Sequence, residues 1–390
     1  RHSIVVEGAL IREIVPSDRV QAPPGAVRID ARGKFVMPGM IDYHFHFNTR
    51  SDPRHSPVLP FLFLANGVTT LREMGNWIAE ENKVWVDSAK ARGLPAPRLL
   101  TSGPAIDGRD TLLPTQSMVV LDAEDARRVA NRLMDEGATS LKVYSRLPLS
   151  LLRVVVEEAH KRGVPVQAHL GVVDPRDAAA AGLDGISHTN NLIQALLPPR
   201  EAEAFRQASL REPNPGSFES WSRVDPAGAR ASALIEIMRK HGVSLDPTVA
   251  LHEPSADSRE HESRRRAHHN MATFDVRFHR AGGKLVMGSH GMAPYAAPGF
   301  ALLREIEVHV EHGLSPADAL QAATRVPAES LRLKDRGVLA PGRLADIVVL
   351  DGDPLMDIRN LGKVSTVILG GVEVDRARLR AADARRTGEN

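Results

Sequence analysis

The chain has 390 residues, long enough for one large α/β domain and a smaller one. Its 50 basic and 48 acidic residues are mixed along the length and aromatics reach only 4%, which argues against a nucleic-acid surface built on clustered charge or stacking rings. There is no cysteine, so disulfides, zinc–thiolate sites and thiol nucleophiles are excluded together.

In chain order, Ser3–Val6, Leu10–Val15 and Ala26–Asp30 read as short strands separated by Gly, Pro and Asp. The tail has the same texture at Gly342–Leu350 and Val364–Val374. Each end alone is too short to bury a core, so a small sheet assembled from both termini is expected. Between them, apolar runs alternate with helical patterns. The expected strands are Phe35–Asp42, Val68–Glu73, Arg98–Ser102, Ser140–Tyr144, Val164–His169, Gly185–His188, Val243–Thr248 and Leu285–Ser289. Helices are expected at Ala123–Glu136, Leu149–Arg162, Gly228–His241 and Phe300–His312. Eight strands with intervening helices fit a parallel (β/α)8 barrel. A doubly wound open sheet is the alternative, but no Gly-rich phosphate loop follows the first strand. The expected boundaries are 37–337 for the barrel, with 1–36 and 338–390 forming the composite β-sandwich domain. Leu196–Val224 and Glu253–His269 look like insertions over the barrel mouth, solvated loops by default and lids or oligomer contacts otherwise. No apolar run approaches the roughly 18–20 residues that span a bilayer, so no membrane partner is expected. The chain opens at Arg1 without Met; the cytoplasm is the expected compartment, with periplasm or secretion left open.

Candidate chemistry sits at strand ends. His44 and His46 are two apart at the end of the first barrel strand, so both imidazoles aim to one side. With 16 His in the chain an H-x-H pair is weak by itself; its place after a Pro-Gly turn strengthens it. His169 and His188 each close another strand, and every such end opens onto one cavity. Lys142 interrupts the apolar run Ser140–Tyr144, and a buried lysine must be paired, neutral or modified. An ion pair with Glu73 is one reading; a neutral amine that takes up CO2 as a metal-bridging carbamate is the other. Tyr144 and Arg146 follow Lys142 around the strand end and, with His252, are candidate substrate contacts.

These motifs resemble the amidohydrolase superfamily, in the branch near imidazolonepropionases and metal-dependent Xaa-Pro dipeptidases. The resemblance covers nearly the whole chain: VMPGMIDYHFH at the first strand, GVTTLREMG, SLKVYS, QAHLG and GISH in the middle, then GLSPADALQAAT and RGVLAPGRLADIVVLDGDPL. It implies a TIM barrel whose His44, His46, Lys142 (as carbamate), His169 and His188 bind one or two divalent metals, zinc first, with manganese or iron as alternatives. The implied reaction is hydrolysis of an amide-type C–N bond in a small molecule by a homo-oligomeric enzyme. One position departs from the pattern. The family ends its eighth strand with Gly-Thr-Asp, the Asp acting as base; here Gly288-Ser289-His290-Gly291 stands there and no Asp occurs from 276 to 316. His290 is therefore the candidate catalytic base, since a neutral imidazole suits proton shuttling. Lyase or decarboxylase chemistry on the same platform, or an inactive variant, are the competing readings.

Overall fold

The computed structural model describes residues 2–47, 58–75, 79–212, 214–254 and 260–384. Taken in order, its strands are β1 (His2–Glu7), β2 (Leu10–Pro16), β3 (Phe35–Pro38), β4 (Met40–Phe45), β5 (Val68–Glu73), β6 (Arg98–Thr101), β7 (Ala105–Asp107), β8 (Ser117–Val119) and β9 (Leu141–Val143). They continue as β10 (Val166–Ala168), β11 (Gly185–Ser187), β12 (Ser244–Asp246), β13 (Lys284–Leu285), β14 (Ile347–Leu350), β15 (Val364–Leu369) and β16 (Val372–Glu373).

The expected first strand, Phe35–Asp42, is two. β3 pairs antiparallel with β14, whereas β4 pairs parallel with β5. Pro38 ends the first of these and Gly39 makes the step: a Cβ there would lie 2.2 Å from Thr69 Oγ1, so only glycine lets the chain pass. The barrel consists of β4–β5–β6 and β9–β10–β11–β12–β13, all parallel. Short backbone links join the two arcs. Thr139 N donates to Thr101 O at 2.9 Å, and Tyr43 N donates to Met287 O at 3.0 Å, so the sheet closes into a ring. β7 and β8 extend the β9 side. Amphipathic helices such as Ala123–Asp135 and Leu149–Lys161 bury Val129, Leu133, Leu152 and Val155 against the ring.

The termini meet as expected. β16–β15–β14–β3 form a four-stranded antiparallel sheet, and the β1–β2 hairpin touches it through Leu10 and Leu344. Ile11, Ala345, Ile347 and Ile368 make a small apolar core between these layers. Ala26–Asp30 is not a strand. It finds no partner, and Val27 is 87% exposed, so its apolar spacing has nothing to bury against. The insertion at Leu196–Val224 is not a solvated loop either: helices Pro199–Ser209 and Ser217–Trp221 bury Phe205 and, completely, Trp221. Within Glu253–His269, residues 255–259 lie outside the described residues, and the remainder opens the long helix Glu260–Arg280. Among the described residues no helix is long and apolar enough to cross a membrane.

Candidate metal centre at the barrel mouth

His44 lies near the end of β4 and Lys142 within β9, His46, His169 and His188 directly follow β4, β10 and β11, and His290 lies in the stretch after β13. The fold brings them together. His44 and His46, from β4, have ring centroids 4.9 Å apart and Nε2 atoms 3.0 Å apart. The His188 ring lies 4.8 Å from His44 and 4.9 Å from His169. The His290 ring lies 4.4 Å from His46 and 5.1 Å from His44, and the His44, His46 and His290 nitrogens fall within 4.8 Å of one another. Lys142 belongs to the same group, since its charge depresses the basicity of all five imidazoles.

Two of these histidines are held in the left-handed backbone region, His188 at φ 66° and His290 at φ 61°. Backbone bonds fix both: His188 N donates to Asp246 O and His290 N donates to His44 O, each at 2.6 Å. Gly288 leaves room for Asp246 and His44. A Cβ there would sit 2.3 Å from Asp246 Oδ1 and 2.5 Å from the His44 Cβ.

Electrostatically the centre favours neutral ligands. Burial, reinforced by Lys142 and neighbouring rings, holds His44, His169, His188 and His290 well below the usual histidine range, and His46 falls to about 3. Burial also lowers Lys142 to about 7, with the Arg72 guanidinium pushing the same way and Asp246 and Glu73 opposing. Lys142 Nζ donates to Ser187 Oγ at 3.0 Å, which replaces the ion pair with Glu73 considered from the sequence. Glu73 instead lies near His46, 3.7 Å from its Nδ1.

Three groups escaped the sequence reading. Asp246, at the end of β12, is fully buried and its Oδ2 lies 2.5 Å from His44 Nδ1. Burial raises the pKa of Asp246 and lowers that of His44. The signal was available: an acid closing the apolar run Val243–Leu245 follows the same logic as Lys142. Asp42 accepts from Ser289 N at 2.9 Å and Ser289 Oγ at 2.5 Å, which ties the first strand to the eighth. Arg72 lies wholly inside the barrel, its Nε donating to Ser140 Oγ at 3.0 Å and its guanidinium 4.4 Å from the Tyr43 ring centre.

Of the substrate candidates, Tyr144 and His252 lie beside the imidazoles, whereas Arg146 lines a cavity whose walls include none of them. The Tyr144 ring is 4.5 Å from His169, and burial pushes its phenol up to about 12. His252 packs 5.0 Å from Phe218, and burial lowers it to about 4. Arg146 N donates to Asp107 Oδ1 at 2.8 Å, its Nη1 donates to Asp110 O, and its side chain lines a cavity of about 530 Å³ with Leu149, Val172 and Gln194.

The donors fit a divalent cation. Among the described residues, His46 Nδ1, His169 Nε2, His290 Nδ1 and Asp246 Oδ1 are buried and have no hydrogen-bond partner. Unsatisfied buried polar atoms are costly, and a bound cation relieves a cluster of lone pairs at once. Imidazole and carboxylate donors without thiolate suit zinc, manganese or iron.

The amidohydrolase family model matches residues 35–374. The chain belongs to the amidohydrolase family. Adenine deaminase 2 of Shouchella clausii is 24% identical over 364 residues, covering 86% of this chain and 50% of that protein. Imidazolonepropionase of Klebsiella pneumoniae is 25% identical over 399 residues, covering 90% and 86%. The chain thus spans about half the length of the adenine deaminases that it matches over most of its own length. Among solved structures, a prolidase complexed with N-methylphosphonate-L-proline superimposes with TM-score 0.72 and 25% identity, covering 96% of this chain and 94% of that one. A Xaa-Pro dipeptidase with bound methionine gives TM-score 0.71 at 20% identity, over the same shares, and that likeness speaks for the fold alone.

Proposed function

We propose that this amidohydrolase is a metal-dependent hydrolase cleaving an amide-type C–N bond in a small molecule, with its site on the barrel bounded by residues 37–337. The observation that carries the proposal is the convergence of His44, His46, His169, His188 and His290 around a lysine whose pKa burial lowers to about 7. His44, His46, His169, His188 and Lys142 would hold one or two divalent ions, zinc first, which when bound polarise a carbonyl and supply an activated water. Lys142 contributes as a carbamate: its neutral Nζ adds to CO2, forming an N–C bond and releasing one proton. Asp246 accepts from His44 Nδ1 and so fixes the tautomer that leaves Nε2 free toward the cluster.

His290 takes the part that an eighth-strand carboxylate would play. Its ring stays neutral at working pH and, beside His44 and His46, it can accept a proton at a ring nitrogen and return it to the leaving nitrogen. Tyr144, kept as a neutral phenol, can donate its O–H to a substrate oxygen, and His252 stands beside His169, His188 and His290. The relatives' printed activities, deamination of adenine and peptide cleavage at proline, set the first substrates to assay.

The test is turnover of that panel by metal-loaded full chain in ¹⁸O-labelled water. Label in the product of a C–N cleavage supports the proposal. Turnover without label indicates elimination or decarboxylation on the same platform, and no turnover with any amide, dipeptide or cyclic amide contradicts it.

A further inference from the structure

Outside the cluster, two helices on the barrel's outer wall place three ionisable groups in complete burial: Asp275 on Glu260–Arg280, and Glu305 and His309 on Ala301–Glu311. Nothing in the proposed chemistry uses them. A buried charge has to be paired and hydrogen-bonded, and here every partner leads toward the site.

On one side, Thr189 Oγ1 donates to Asp275 Oδ1 at 2.7 Å, and Thr189 is the residue after His188. On the other, Glu305 Oε1 accepts from Val249 N at 3.0 Å and Oε2 accepts from Ala250 N at 2.7 Å. Those amides open the short turn Val249–His252, whose preceding residue Thr248 is left-handed at φ 51°. Thr248 Oγ1 in turn lies 2.6 Å from His188 Nδ1. His309 joins the halves: its Nε2 lies 3.3 Å from Asp275 Oδ2, and its Nδ1 donates to Glu305 O at 2.8 Å. Desolvation opposes a charge on His309, but the Asp275 and Glu305 carboxylates outweigh it and raise its pKa to about 9, so it bridges them as a cation. The contacts form a closed circuit that begins and ends on His188, passing through both of the left-handed residues that follow β11 and β12.

We infer that Asp275, His309 and Glu305 are positioning residues, a buried brace that sets the ring of His188 and the Thr248–His252 turn for metal and substrate binding. This rests on the reading of His188 as a metal ligand. Generic buried ion pairs would be satisfied by one another; these spend their remaining acceptors on the loop hydroxyl and amides that flank a ligand. Groups one step outside a metal's ligands typically change affinity tenfold to a hundredfold when removed.

The experiment uses the full chain stripped of metal and titrated with Co²⁺, following the visible absorption bands and the dissociation constant, with the apo-protein Tm recorded for every variant. Asp275→Asn, Glu305→Gln and Thr189→Val are each expected to weaken Co²⁺ binding by about tenfold or more and to shift the bands, while Thr189→Ser, which keeps the hydroxyl, restores both. Thr189→Val exchanges the hydroxyl for a methyl of similar size and gives a readable answer even where the acid variants fold poorly. Val367→Ala, in the terminal sheet, lowers Tm without changing affinity or spectrum. Wild-type Co²⁺ binding with unaltered constants and bands in the variants overturns the brace alone. A wild-type chain that binds no Co²⁺ overturns the metal proposal, and with it the ligand role given to His188.

Discussion

Lys142 in the middle of β9 and Asp246 at the end of β12 each put an ionisable group into a barrel strand, and the barrel buries both. With Lys142 at about 7, its amine is neutral above that pH and cationic below, while a free lysine near 10.5 would be charged throughout. Carbamate formation needs the neutral amine, so bicarbonate-dependent metal uptake should rise as pH passes upward through about 7 and fall away below it. Titrating metal uptake against pH with and without bicarbonate checks this; a profile indifferent to bicarbonate contradicts it. Asp246→Asn should weaken metal binding by about tenfold to a hundredfold, because a neutral amide accepts from His44 Nδ1 less strongly than a carboxylate and no longer fixes its tautomer. Equilibrium dialysis against zinc measures the change. The sequence displayed Lys142 clearly and Asp246 equally clearly, but the histidines drew attention to metal-ligand spacing, and only the tertiary contact between β4 and β12 reveals what Asp246 does.

Elements explain which parts of the fold could be read in advance. The helices Ala123–Asp135, Leu149–Lys161, Ala229–Lys240 and Ala301–Glu311 were legible because their apolar positions recur at helical spacing, and strands β5, β6 and β10–β13 because each lies within a short, apolar-rich run. The break at Pro38-Gly39 was not legible as a change of sheet, since the close approach of Thr69 is a contact between distant segments. Ala26–Asp30 misled for the converse reason: spacing alone does not supply a partner strand. Gly288 on the stretch after β13 tests this level. Gly288→Ala places a methyl within 2.3 Å of Asp246 Oδ1 and against His44, so it should cost about 1–3 kcal/mol in thermal unfolding and abolish tight metal binding. The inserted helix Ser217–Trp221 offers a second test, because its Trp221 is fully buried with Nε1 donating to Asn190 O at 3.3 Å. Trp221→Ala should destabilise by about 3–5 kcal/mol, measured by denaturant unfolding, which a surface lid would not.

At the scale of the molecule, a ring of strands delivers residues scattered from His44 to His290 to one cavity, and the sheet built from both termini is fastened to it. Arg98 at the start of β6 bonds Asp346 through Nε at 2.9 Å, and Gly39 N donates to Asp346 O at 2.8 Å, so the terminal sheet grips the base of the first barrel strands. The mouth opposite that base holds the imidazoles, the lysine and their unpartnered nitrogens. The most direct test is a crystal structure of the full chain grown with zinc above pH 7, read by anomalous scattering at the zinc edge. One or two peaks among His44, His46, His169, His188 and His290, with added density on Lys142 Nζ, is the predicted result. An anomalous map with no peak inside that ring would contradict the account.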